Sequence, residues 1–409
     1  MSAALASAPL AVPAAAKSRV ASIDLIRGAV MILMAIDHVR VFSGVPAGGP
    51  TAGVFFTRWI THFCAPAFIF MAGTSIFLYA RKHADVSRYL LIRGAWLIFL
   101  ELTFLRVAWT FNFDFLHYEM AGVIWVIGCC MILMAGFVKL PVPVVGTIGL
   151  AIIAGHNLMD SHMGALVDSL DQNRFSGLWK IFYVGFFAGP VQFGPHGPNL
   201  IVLYSIIPWI GVMAAGYAFG KIVVLEPAQR KRLCLAIGLS AVGLFLVLRG
   251  FNLYGDPRPW HAAAQGRNGS PPMPALFSFL NTTKYPASLS FLLMTLGPII
   301  TLMPLVEGLG GGIARRVSLF GRVPFFYYML HIPLIHALAL VVSKIRLGFV
   351  SPWLFTNHPM GNPEPPEGYA WSLPLLYLVW GIAIVLLYFA CRWFAELKAK
   401  RNDWWLRYL

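Results

Sequence analysis

The chain has 409 residues, 58% of them hydrophobic and 11% charged, with a formal charge of +15 and a mean hydropathy of +0.72. A soluble domain is nearer half apolar and a quarter charged, so a single water-soluble core is excluded. The basic excess lies in short loops between apolar runs, which is a membrane-orientation pattern and not the solvated tract of a nucleic-acid-binding protein.

Residues 1–18 are rich in Ala and Pro and lack the basic segment of a signal peptide. They are expected to form a disordered cytoplasmic tail, followed by one transmembrane acyltransferase-like domain at 19–396 and a basic cytoplasmic tail at 397–409. Crossing the hydrocarbon takes about 20 apolar residues. Runs of that kind fall near 23–43, 54–80, 89–111, 119–138, 142–159, 200–222, 232–250, 285–305, 323–345 and 372–394. They predict an all-α, polytopic helix bundle of about ten crossings. The half-length stretch 176–190 is re-entrant, interfacial or an eleventh crossing. The five cysteines, Cys64, Cys129, Cys130, Cys234 and Cys391, lie in or beside these runs and read as packing residues.

Basic residues alternate between loops. Lys17, Arg19 and Arg27 precede the first run; Arg81, Lys82, Arg88 and Arg93 join the second and third. Lys221, Arg230, Lys231 and Arg232 join the sixth and seventh, and Arg315, Arg316 and Arg322 the eighth and ninth. Arg392, Lys398, Lys400, Arg401 and Arg407 close the chain. The positive-inside rule puts these loops, and both ends, in the cytoplasm. A bacterial-type inner membrane fits this pattern.

Ionisable side chains at bilayer depth are costly and mark function by default. The first run carries Asp24 and Arg27 near its start and Asp37-His38 in its outer half. Arg27 and His38 are eleven residues apart, so they share one face about 16 Å apart along the axis. The second run carries Thr61 and His62 ahead of Pro66, with Arg58 at its outer edge. Glu101 and Arg106 fall at mid-membrane and read as a structural ion pair; Asp24 is expected to pair with Arg27. The ninth run carries His331 and His336. Asn281 to Pro286 places Lys284 and Tyr285 at the outer interface, where Lys284 and Arg58 snorkel or contact substrate.

Arg19-x-x-Ser22-x-Asp24-x-x-Arg27-Gly28, followed by a long apolar run, resembles the catalytic-domain family of heparan-alpha-glucosaminide N-acetyltransferase and its bacterial relatives. Asp37-His38-Val39-Arg40, Thr61-His62-Phe63-x-x-Pro66, Met71 to Ser75, Asn281 to Ser288 and Gly321 to Tyr327 support the resemblance over nearly the whole chain. It implies acyl transfer from cytoplasmic acetyl-CoA, or another acyl-CoA, to an extracytoplasmic sugar or glycan. In the family's characterised member a histidine of the first luminal segment serves the chemistry. Residues 44–61 contain no histidine, and His38 and His62 flank that gap, so the role falls to one of them.

On this reading His38 is the general base or a transient acyl carrier, with Asp37 beside it but diverging by about 100° around the helix. His62 or His331 stabilises the oxyanion. Arg27, Arg88, Arg93, Arg315, Arg316 and Arg322 hold the CoA phosphates, with the Gly308–Gly312 run allowing close backbone approach. Lys284, Tyr285 and Arg58 meet the acceptor. No metal is expected. The lipid bilayer and a glycan are the partners, with a second copy of the chain left open. The physics of buried charge alone equally suits a proton-coupled transporter or flippase-like protein, and an inactive envelope scaffold is a third reading.

Overall fold

The computed structural model describes residues 21–49, 51–162, 167–169, 175–261, 273–360, 363–401, 403 and 406. The expected tail 1–18, with Lys17, Arg19 and Arg407, lies outside the described residues. The protein is mostly helical. Its principal helices are α1 (Ala21–Ser43), α2 (Ala52–Ala80), α3 (Val86–Leu100), α4 (Val123–Phe137), α5 (Val142–Gly155), α6 (Ile206–Val223), α7 (Pro227–Gly250), α8 (Leu289–Leu305), α9 (Gly312–Arg322), α10 (Pro324–Leu347) and α11 (Leu373–Lys400).

Among the described residues, six helices are long and apolar enough to cross a membrane, and α4 and α8 are shorter apolar ones. Helix α1 has the length, at 23 residues, but carries Asp24, Arg27, Asp37 and Arg40. Helix α3 runs on through a wide π-turn at Glu101–Leu105 into Arg106–Thr110. The apolar side chains Leu378, Ile382, Val385, Phe389 and Trp393 follow one another at helical spacing along α11 and are all exposed. Such a stripe is stable against lipid and costly against water. This is a multi-pass membrane protein.

The expectation of an all-α chain is corrected by a small sheet at the end of the bundle where α1 finishes. Strand β1 (Glu119–Ala121) pairs in parallel with β3 (Asn199–Val202), and β2 (Val191–Gln192) pairs antiparallel on the other side of β3. The runs at 119–138 and 200–222 therefore start as strands and become helices only at Val123 and Ile206. Apolar character alone does not distinguish the two states over so few residues. The run at 285–305 becomes helical at Leu289, where the Ser288 hydroxyl accepts from the Phe291 N–H as an N-cap. The stretch 176–190 forms only short helical turns, Ser176–Trp179, Lys180–Val184 and Gly185–Ala188.

Close helix crossings fix the frame. A Cβ on Gly28 of α1 would strike the Val317 carbonyl of α9, and one on Gly321 of α9 would strike the Asp24 carbonyl of α1. Without side chains there, the two backbones pack directly on each other, the usual membrane solution to helix contact. Gly73 of α2 and Gly216 of α6 form a second reciprocal crossing. Helix α1 also packs on α10 and α11, so it is sheathed along its length.

Candidate active site

At the sheet end of the bundle, α1, the start of α2, the Asn281–Ala287 segment and the loop before α11 enclose a cavity of about 670 Å³. That is within the range that holds a sugar-sized ligand. Asp37, His38, Arg58, His62, Glu101, Lys284 and Tyr285 all line it. Residues far apart in the chain are thus brought together by the fold.

His62 is presented by a tight turn. Pro66 has no N–H to return to the His62 carbonyl, and the chain winds as a 3-10 turn over Ile60–Phe63 just before it. Both ring nitrogens of His62 are buried without a hydrogen-bond partner among the described residues. Lys284 and Tyr285 are held by the carboxylate of Asp256. It accepts from the Thr283 N–H at 2.9 Å, the Thr283 hydroxyl at 2.8 Å and the Ser288 hydroxyl at 3.1 Å. Arg249 fastens the same segment by donating to the carbonyls of Ser278, Phe279 and Arg258.

The centre of the site is a pair of imidazoles. His38 Nδ1 lies 2.6 Å from His331 Nε2, and His331 Nδ1 lies 2.6 Å from the Tyr328 carbonyl oxygen. A carbonyl only accepts, so His331 Nδ1 carries the hydrogen. With both rings neutral, His331 Nε2 must then accept, and His38 Nδ1 must donate to it. The proton order leaves His38 Nε2 as a lone pair with no partner among the described residues. Trp109 stands edge-on to the His38 ring at 4.9 Å and limits its rotation. His38 lines the cavity and His331, fully buried behind it, does not.

Asp37 points elsewhere. Arg40 Nε donates to it at 2.8 Å, and Arg40 also donates to the Val45 carbonyl, ordering the turn after α1. Glu101 and Arg106 do not form the expected ion pair. Glu101 accepts from the Trp125 N–H at 3.2 Å, capping the positive end of α4. Arg106 instead donates to the carbonyls of Tyr118, Asn112 and Asp114 and to the side chains of Thr110 and Asn112. The intervening π-turn carries the two side chains toward different partners.

The arginines expected to hold CoA sit at the other end of α1, and none of them lines the cavity. Arg27 donates to the Ser75 hydroxyl at 3.0 Å and lies 3.9 Å from Asp24. Arg93 lies over the Phe325 ring at 4.7 Å. Arg88, Arg315, Arg316 and Arg322 are exposed. Arg258, Tyr204 and His358 of the cavity wall were not singled out by sequence reasoning. The charge and the imidazole lie in Pro-rich loops that carry no motif. His336, deeper in α10, has Nδ1 3.1 Å from the Ala108 carbonyl and Nε2 2.9 Å from the Leu354 carbonyl, and so joins helices to a loop. Among the described residues no group of three or more His, Cys, Asp or Glu is placed to hold a metal ion.

The family model for the heparan-alpha-glucosaminide N-acetyltransferase catalytic domain matches residues 19–254, more than half of the chain. The chain belongs to that family. No curated protein matches the chain. Within the acetyltransferase family match lie Asp37, His38, Arg58 and His62, whereas Arg258, Lys284, Tyr285 and His331 lie beyond it. The cavity is therefore completed by the part of the chain after α7.

Proposed function

We propose that this protein is a membrane acyltransferase that moves an acetyl or other acyl group from cytoplasmic acyl-CoA to a hydroxyl or amine of an extracytoplasmic sugar or glycan. The observation that carries this reading is the carbonyl-anchored His331–His38 pair, which leaves an unprotonated Nε2 at the wall of the cavity. A base so placed takes the acceptor's proton as the new bond to the acyl carbon forms, and returns it to the departing sulfur. The Tyr328 carbonyl and His331 Nε2 keep the first His38 nitrogen occupied, so the second is the one that exchanges protons. His62, with two unpartnered ring nitrogens in the same wall, is the donor for the negative oxygen that develops during attack.

The orientation belongs to the same proposal. Ten crossings, counting α1, α3 with its extension, α4 and α8 beside the six long apolar helices, put both termini and the exposed arginines in the cytoplasm. Arg88, Arg315, Arg316 and Arg322 supply charge for the donor's phosphates, while Arg27 is committed to helix packing. Helix α1 spans from that end to the cavity, where the proposal places the donor's thioester beside His38.

The test is His38→Ala in purified protein, with thiol release from labelled acetyl-CoA as the readout. Transfer should fall by at least a hundredfold while the variant stays folded in the membrane. Full activity in the variant removes His38 from the chemistry. Substrate flux driven by a pH gradient without thiol release removes the enzyme reading altogether.

A further inference from the structure

Beside the main cavity lies a second one of about 140 Å³, and the two share Phe187, Arg258, Thr283 and Tyr285 as a common wall. Val184, Pro257 and Pro286 complete its apolar lining. The polar side chains on its wall are spent on the protein itself. Asn157 accepts from the Leu289 N–H and donates to Asp160, both at 2.8 Å. The ring nitrogens of His156 lie 2.9 and 2.8 Å from the carbonyl oxygens of Ile152 and Ala287. The Thr283 hydroxyl donates to Asp256 and accepts from Arg258. An apolar cavity of about 150 Å³ stays dry and takes a hydrocarbon group.

The source of that group follows from where the second cavity lies in the membrane. Helix α5 ends at Gly155 and α8 begins at Leu289, so His156 and Pro286 on its wall stand where the apolar helices stop. Tyr254 donates its hydroxyl to the Ala154 carbonyl and holds the loop after α7 against the same end of α5. Leu158, Phe187, Phe251 and Leu253, on the wall or within a few residues of it in the chain, are all exposed. Exposed apolar side chains grouped in this way belong against lipid. The second cavity therefore lies between the lipid boundary and the main cavity.

We infer that the acceptor is an amphiphile, a sugar carried on a hydrocarbon chain in the leaflet at the cavity end of the bundle, and that the first carbons of the chain lie in this second cavity. This rests on the acyl-transfer reading above and names the acceptor's class. The donor's acyl chain is the rival occupant. It starts at the carbon that reacts, and neither His38 nor His62 lines the second cavity. A sugar ring standing in the main cavity, by contrast, separates the reacting hydroxyl or amine from the chain that follows it.

Direct binding tests this without any turnover. The full chain, purified in a detergent without a sugar headgroup and placed in phosphatidylcholine nanodiscs, is titrated with methyl, butyl and hexyl β-glucoside. Trp59, Trp109 and Trp353 line the main cavity, so tryptophan fluorescence reports its occupancy. Each buried methylene is worth about fourfold in affinity, so the butyl and hexyl glucosides should bind at least tenfold more tightly than the methyl one. Val184→Phe, which fills the second cavity, should remove that gain and leave binding of the methyl glucoside unaltered. Pro257→Phe, at an exposed position of the wall, serves if Val184→Phe does not fold. Equal binding of the three glucosides overturns the inference. A gain that survives filling of the cavity reflects partition into lipid and also overturns it. Tighter binding of butyryl-CoA than of acetyl-CoA, abolished by Val184→Phe, assigns the cavity to the donor and overturns it too. A chain-length gain in a protein that releases no thiol would sink the acyltransferase reading and leave the second cavity standing as a site for chain-bearing sugars.

Discussion

At His38, which nitrogen holds the hydrogen decides what the side chain is able to do. The Tyr328 carbonyl sets the tautomer of His331, and His331 sets that of His38, so a main-chain oxygen of α10 determines the basicity of a site on α1. His38 and His62 are visible in the sequence because an imidazole in an apolar run is costly without a task. The partnership with His331 is not visible, since 293 residues separate the two rings. Glu101 and Arg106 mislead for a related reason. Opposite charges five positions apart on one helix suggest a pair, and only the π-turn between them shows that each has its own backbone partners. His358, in the loop before α11, offers a test by titration. Burial, reinforced by neighbouring His336, pushes its imidazole down to about 4. An unfolded histidine takes its proton near 6.5, so between these values the unfolded chain binds the extra proton and stability declines as pH falls. The melting temperature should drop as pH is lowered from 6.5 toward 4, and His358→Phe should flatten that slope. Identical slopes in the two proteins would show that His358 does not contribute.

Helices here are joined by absence of side chains as much as by their presence. At the α1–α9 crossing, Gly28 and Gly321 let each backbone rest on the other's carbonyl. Gly28→Leu must push α9 away or bend α1, and overpacking of this kind costs about 1–3 kcal/mol. The variant should melt several degrees lower and lose transfer activity, because α1 carries His38. Unchanged stability would mean that the crossing is looser than its geometry. Apolar runs located most of the helices, but they missed α9. That helix has eleven residues and three arginines, too short and too polar to register as a span. They also missed the switch from strand to helix at Val123 and Ile206, where tertiary pairing with β3 overrides local character.

For the molecule as a whole, the basic loops and the cavity mark opposite ends. If the arginine-rich end faces the cytoplasm, Ala47, at the cavity mouth, faces outward and Ala84, in the loop between α2 and α3, faces inward. Single cysteines at these positions separate the two arrangements, because the five native thiols are buried or half-buried. A membrane-impermeant maleimide applied to right-side-out vesicles should label Ala47→Cys and spare Ala84→Cys. The reverse pattern would invert the protein and with it the direction of transfer.

The helix-borne imidazole pair and the loop-borne cations have different tolerances to change. His38 and His331 project from two helices packed against each other, where a shift of either backbone would break the proton order. Arg58 sits at a helix edge, and Arg258 and Lys284 on irregular segments held by Asp256 and Arg249. On the proposed reading, substitutions and insertions in those segments should alter which molecule enters without disturbing how it reacts. If the proposed reaction centre is right, a scaffold divided in this way would let new acceptors be taken up by rewriting loops alone, with the imidazole pair left as it is.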